Sequence, residues 1–161
     1  MNGLQMVGAI GAMLLAFIAL IAMVNGMLEA GGAWLGIEQL TLERVLGGIL
    51  QPLAWALGIP WDEAQLAGSL IGQKFILNEF VAYVTYSEVA DQLSAHSQAI
   101  VIFALCGFAN LSSIAILLGG LGTIVPSRRT DVANLGLRAV IGGTLSNLMS
   151  AALAGFFFSL Q

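Results

Sequence analysis

Charge is what this sequence has least of: 9% of its 161 residues are Asp, Glu, Lys or Arg, where a soluble domain carries about 25%. Hydrophobic residues make up 58% and the mean hydropathy is +0.93. That balance excludes an ordinary soluble domain and points to an integral membrane protein. Basic residues number five, Arg44, Lys74, Arg128, Arg129 and Arg138, within a formal net charge of -4. Too few to track a phosphate backbone, they exclude nucleic acid as a partner. The single cysteine, Cys106, rules out an internal disulfide and a cysteine-based zinc site, and is read as a small packing residue in a helix. His96 is also alone, in the polar stretch Ser94-Ala95-His96-Ser97. It is read as an exposed connector residue, and no metal site is expected. No serine has a histidine and carboxylate to activate it, and no pair of carboxylates shares an apolar pocket, so no catalytic residues and no enzyme activity are expected.

What is present is a set of long apolar runs. Val7 to Leu28 carries no charge and is long enough to span a membrane core of ~30 Å at about 1.5 Å per residue. It lacks the basic start of a signal peptide and is longer than one. Gly31, Gly32 and Gly36 are expected to break this helix. After them, Leu42, Val45, Leu46, Ile49, Leu50 and Leu53 recur at helical spacing with Glu43, Arg44 and Gln51 off the stripe, which predicts an amphipathic interfacial helix. Thr41 is its expected N-cap, and Gly58-Ile59-Pro60 ends it. Asp62 and Gln65 read as a loose capping box opening the next segment. Ile100 to Val125 is a second spanning run, interrupted by Gly107-Phe108-Ala109-Asn110-Leu111-Ser112-Ser113. Ala139 to Phe158 is a third, with Gly142, Gly143, Ser146, Ser150 and Ala154 for close helix contact. Arg128 and Arg129 form the only adjacent basic pair, which places their loop on the cytoplasmic side. Glu29 to Asp91 then begins and ends outside.

Within Leu66 to Tyr86 lies the stretch Gly72-Gln73-Lys74-Phe75-Ile76-Leu77-Asn78-Glu79-Phe80-Val81-Ala82-Tyr83. Ionisable groups at membrane depth are costly, roughly 2.5 to 3.5 kcal/mol each even on the lenient insertion scale, and mark function by default. A straight helix would carry Lys74 and Glu79 near its middle. The alternative is a re-entrant hairpin whose irregular backbone lines an enclosed cavity, and acidic residues at both ends favour entry and exit on one side. An ionised Glu79 accepts hydroxyl donors; Asn78 and Asn110 donate and accept, and Ser113 shares a helical face with Asn110. Together they suit a small uncharged polyhydroxylated ligand. The competing reading pairs Glu79 with Lys74 and makes Asn110, Ser112 and Ser113 helix-packing groups.

The pattern Gly-x-Lys-x-x-x-Asn-Glu-Phe-Val-Ala-Tyr, complete from Gly72 to Tyr83, resembles the hallmark motif of the concentrative nucleoside transporters, bacterial type. Ala104 to Ile114 and Pro126-Ser127-Arg128-Arg129 are similar to that family's next helix and loop. By this resemblance the chain is the C-terminal half of an inverted-repeat transporter. Glu79, Asn110 and Ser113 would hold the ribose, Asn78 would support the hairpin tip, and Lys74 and Phe80 would be structural or gating residues. Base-reading residues and the coupling-ion site, sodium or proton, would lie mainly in the missing N-terminal half.

The expected fold is therefore all-α: three spanning helices, an external amphipathic helix and a re-entrant helical hairpin. Its expected parts are a scaffold helix and outer loop (1–36), the amphipathic helix (37–60), the hairpin (61–97), a discontinuous spanning helix (98–126), and a cytoplasmic loop with the last span (127–161). The expected function is ion-coupled nucleoside uptake across the cytoplasmic (inner) membrane by a multi-pass protein. No cofactor is expected beyond the coupling ion, and a homotrimer is the assembly the resemblance implies. The chain is expected to be a fragment of a longer protein, with a split subunit as the other option. A non-transporting membrane assembly subunit is the alternative function.

Overall fold

The computed structural model describes residues 2–37, 40–114 and 126–160, and the regular structure in them is helical. Two compact units divide the chain, residues 1–45 and 46–161. In the first, α1 (Asn2–Leu35) runs for 34 residues and passes straight through Gly31 and Gly32, which were expected to break it. A helical glycine costs only about 1 kcal/mol against alanine, too little to stop a growing helix. Termination falls at Gly36, whose φ of 72° is a conformation glycine adopts without penalty. There the Ile37 amide donates to the Gly32 carbonyl at 2.8 Å and the Gly36 amide to Ala33 at 3.4 Å, the two bonds of a Schellman closure. Asn25 then fastens the following chain: its Oδ1 accepts from the Leu42 amide at 2.8 Å and its Nδ2 donates to Glu43 at 3.0 Å. Thr41 caps α2 (Leu42–Ala56) as predicted, accepting from the Arg44 amide at 3.2 Å.

The second unit holds the rest of α2, then α3 (Trp61–Ile76), α4 (Glu79–Val89), a 3-10 turn (Ala90–Gln92) and α5 (Ala95–Leu105). A helical turn over 111–114, a second 3-10 turn (Pro126–Arg128) and α6 (Arg129–Phe158) complete it. Gly58, at φ 104°, closes α2 by the same pair of bonds, Ile59 to Ala54 and Gly58 to Trp55. The predicted capping box at Asp62 is not formed. The chain enters α3 through Pro60, whose carbonyl takes the Glu63 and Ala64 amides at 3.0 and 2.9 Å, leaving Asp62 in the first turn, where the helix dipole favours a carboxylate. His96, expected in a connector, lies in the first turn of α5 behind the Ser94 cap, with its Nε2 3.2 Å from the Gly155 carbonyl.

The core gathers Ala64, Ala67, Leu70 and Ile71 of α3, Ile100, Val101, Ala104 and Leu105 of α5, and Leu148 and Ala151 of α6. Small residues set the helix spacing. A Cβ on Gly68 would meet the Leu50 carbonyl carbon at 2.9 Å, and one on Gly155 would meet Ile100 at 2.6 Å, so α2 and α3 meet backbone to backbone, while the backbone of α6 meets a side chain of α5. Along α6 the close contacts fall at Gly136, Gly143, Ala151 and Gly155. Of the residues expected there, Gly142, Ser146 and Ser150 are exposed.

By length and apolarity, Thr130–Phe158, at 29 residues, can cross a membrane; Ala19–Leu35 and Ala95–Leu105 are shorter apolar helices. The remainder of the expected Ile100 to Val125 span, from 115 onward, lies outside the described residues.

Candidate functional site

The predicted interruption in the Gly72 to Tyr83 stretch exists, and it falls at Leu77 and Asn78. Helix α3 stops at Ile76, Leu77 turns away at φ -98° and ψ -92°, and Asn78 is extended. Asn78 Oδ1 accepts from the Val81 amide at 2.9 Å, which makes Asn78 the N-cap of α4 and Glu79 its first residue. Asparagine is among the best N-cap residues because its side chain replaces the missing carbonyl of the preceding turn. Across the break, Thr85 Oγ1 donates to Gln73 Oε1 at 2.9 Å, so α3 and α4 lie side by side. Phe80 projects from the first turn of α4, 58% exposed.

A second interruption follows α5. Residues 106–110 leave the helix, and Asn110 caps the turn over 111–114, its Oδ1 accepting from the Ser113 amide at 2.8 Å. Asn110 is 1% exposed, and its polar atoms are all engaged. Its Nδ2 donates to Glu79 Oε2 and to the Phe108 carbonyl, each at 3.2 Å. Ser112 Oγ reaches Asn110 Oδ1 at 2.7 Å and the Leu77 carbonyl at 2.8 Å, its one proton serving either. Ser113 Oγ lies 2.8 Å from both Asn110 Oδ1 and the Phe108 carbonyl. Glu79, Asn110, Ser113 and Asn78 therefore meet where two helix starts converge, joined by the Asn110 to Glu79 bond.

Lys74 does not join them. Its Nζ donates to Asn147 Oδ1 of α6 at 3.4 Å, and it forms no ion pair with Glu79. The Lys74 to Glu79 pair of the competing reading is thus replaced by a bond to a neutral acceptor, with Lys74 itself 1% exposed. Beside it lies a cavity of about 260 Å³ whose lining, Lys74 and Thr144 apart, is apolar, including Leu50, Ile71, Leu145 and Leu148. With no carboxylate or amide on its wall, that cavity is not where hydroxyl groups would be read.

Cys106 is not a buried packing residue. It is exposed at the end of α5, 3.1 Å from the Tyr83 hydroxyl, which also donates to the Ile102 carbonyl at 2.8 Å. At the other end of the helical pair, ahead of the apolar run, Glu63 Oε2 accepts from the Ser94 amide and hydroxyl at 3.1 and 3.0 Å. Partial burial pushes the Glu63 carboxyl up, but hydrogen bonds from Ser97 and Ser94 and the nearby His96 outweigh it and hold the group below its usual range.

Two contributors are not singled out by sequence reasoning: Tyr83, which ends the motif without an assigned task, and Asn147, the one amide between Ala139 and Phe158. Ser112, a helix-packing group in the competing reading, bonds the Leu77 carbonyl of the facing break. The signal for Asn147 was available, since the argument that drew attention to Lys74, a polar group in an apolar run, applies to it equally.

Interrupted helices that meet over polar groups within an apolar helical chain are the architecture of secondary transporters. Comparison with known proteins gives the family. A family model described as "Na+ dependent nucleoside transporter C-terminus" matches residues 1–155, and the chain belongs to that family. It is 56% identical to "Uncharacterized transporter YutK" of Bacillus subtilis (strain 168) over 97% of its length and 39% of that protein's. It is 50% identical to "Nucleoside permease NupC" of Helicobacter pylori, over 99% of this chain and 40% of that one. The solved structure "CNTnw in an inward-facing substrate-bound state" superposes with a TM-score of 0.92 at 56% identity, covering 99% of this chain and 40% of that one. The chain spans about two fifths of the length of these relatives.

Proposed function

We propose that this chain is the C-terminal half of an ion-coupled nucleoside importer of the cytoplasmic membrane and supplies the ribose-binding side of its site. The observation that carries this reading is the unused capacity of Glu79. A carboxylate offers about four acceptor positions, and among the described residues Glu79 takes one hydrogen bond, from Asn110. Two ribose hydroxyls would occupy the rest, with Ser113 Oγ accepting from a third sugar or ring donor. Asn110 orients the carboxylate, Asn78 holds the start of α4, and Phe80 gates from the adjoining turn.

The pairing of α3 with α4 supports the re-entrant hairpin, and the length of α6 supports its role as a span. α1 and the interrupted α5 would provide the other two spans. The family description, with its sodium dependence, supports ion coupling, and sodium or a proton would bind mainly in the N-terminal half. In the assembled importer that half completes the pocket, and a homotrimer is the proposed assembly.

The test is Glu79→Gln in the full-length protein, with uptake measured beside surface abundance. Loss of most nucleoside uptake at normal abundance is expected, and normal uptake would remove Glu79 from the site. The alternative, a non-transporting assembly subunit, draws on the full internal bonding of Asn110. For that reading the substitution would lower the amount of protein reaching the membrane.

A further inference from the structure

Asn147 touches both interrupted elements from outside the junction. Its Nδ2 donates to the Phe103 carbonyl at 2.8 Å while its Oδ1 accepts from Lys74 Nζ at 3.4 Å. The two bonds fix the amide's orientation, because the reverse setting would aim a donor at an ammonium and an acceptor at a carbonyl. Phe103 lies in the last turn of α5, where the interruption removes the amide that would otherwise bond its carbonyl. Lys74 lies in the last turn of α3, three residues before Leu77. Gly107 leaves room for the amide: a Cβ there would stand 2.4 Å from Asn147 Oδ1 and 2.6 Å from its Cγ. One side chain of α6 thus grips the helix leading into each break, and the Asn110 to Glu79 bond joins the helices leading out.

Resting on the function proposed above, we infer that Asn147 is a positioning residue for ribose recognition: by holding Lys74 and the Phe103 carbonyl together, it sets the distance between Glu79 and Asn110. It touches no substrate in this role. Its effect appears only on the part of the ligand that those two residues read.

Nucleoside binding and uptake by the full-length protein test this, using a ribonucleoside and the same nucleoside lacking its secondary ribose hydroxyls. Asn147→Leu removes both bonds and is expected to raise the apparent Kd and KM for the ribonucleoside about tenfold, the worth of one hydrogen bond. Binding of the deoxygenated analogue should change less than about twofold, so discrimination between the two collapses. A purely structural role would instead lower both in step with surface abundance. Equal losses for the two ligands, or no loss, would overturn the inference. If leucine keeps the protein from the membrane, Asn147→Asp carries the test. It retains an acceptor for Lys74 and loses the donor to Phe103, so discrimination should fall part-way, and unchanged discrimination overturns the inference. Glu79→Gln in the same assay separates the two claims: normal uptake there defeats the proposed function, whereas lost uptake beside unaffected Asn147 variants defeats this inference alone.

Discussion

Asn110 has two tasks that substitution can separate. As an N-cap it accepts from the Ser113 amide, and as a donor it holds Glu79. Serine caps helices about as well as asparagine, whereas alanine in place of either costs about 0.5–2 kcal/mol. Serine is too short to reach Glu79 across the present 3.2 Å bond. Asn110→Ser should therefore keep the cap, leaving the full-length protein about 0.5–2 kcal/mol more stable than Asn110→Ala, although below the parent by the bonds that serine cannot make. It should still lose the charge-assisted bond, worth roughly 1.5–3 kcal/mol, and weaken ribonucleoside binding about ten- to a hundredfold. Asn110→Ala should lose binding and stability together. Thermal unfolding in detergent, read beside equilibrium binding of a radiolabelled nucleoside, gives both quantities. Binding by Asn110→Ser within about twofold of the parent would show that Asn110 is only a cap. Equal stability of the serine and alanine variants would show that it is not one.

Two further outcomes follow from groups outside the junction. Thr144 Oγ1 is buried with no hydrogen-bond partner among the described residues, so Thr144→Val should leave thermal stability unchanged or raise it by up to about 1 kcal/mol; a fall larger than that would mean the hydroxyl has a partner in the assembled protein. Glu63 is held below the ordinary 4.5 by its serine neighbours, so its stabilising contribution is complete above that value and is lost as pH falls through the lower folded value. Stability of the parent should therefore drop more steeply below about pH 4.5 than that of Glu63→Gln, and parallel pH profiles for the two would refute the assignment.

The parts of this fold that were legible in the sequence are those written in local chemistry. Thr41 announced a cap, Gly58-Ile59-Pro60 announced an end, and Lys74, Asn78 and Glu79 in an apolar run announced an interruption. What could not be read is where partners come from at long separation. Lys74 has a carboxylate five residues away and yet pairs with Asn147, because the break at Leu77 turns Glu79 onto the next helix, toward Asn110. Gly31 and Gly32 misled because glycine carries two meanings, a helix end or a place for close approach. At Gly32 the second applies: a Cβ there would stand 2.7 Å from the Ile37 carbonyl oxygen. Cys106 and His96 were misplaced for a related reason, since each sits at an end of α5 and the helix limits, not the residue types, decide exposure.

Broken helices in apolar surroundings expose backbone groups that no water can satisfy, so each break must be bonded by side chains from elsewhere. Here the Leu77 carbonyl is served by Ser112, Phe103 by Asn147, and Phe108 by Asn110 and Ser113. Those bonds use up the side-chain donors of Asn110, Ser112 and Ser113: both N–H groups of Asn110 are taken, and the single protons of Ser112 and Ser113 have acceptors on two sides. The capacity left over is of the opposite kind, acceptor positions on Glu79. A ligand bound here under the proposed function would therefore bring donors to Glu79 without bringing negative charge. Under the function proposed above, sugar hydroxyls would meet that condition, whereas a phosphate would set a second anion against the carboxylate. On the proposed reading, the same bonding that lets the breaks exist would favour a neutral, hydroxylated ligand over a phosphorylated one.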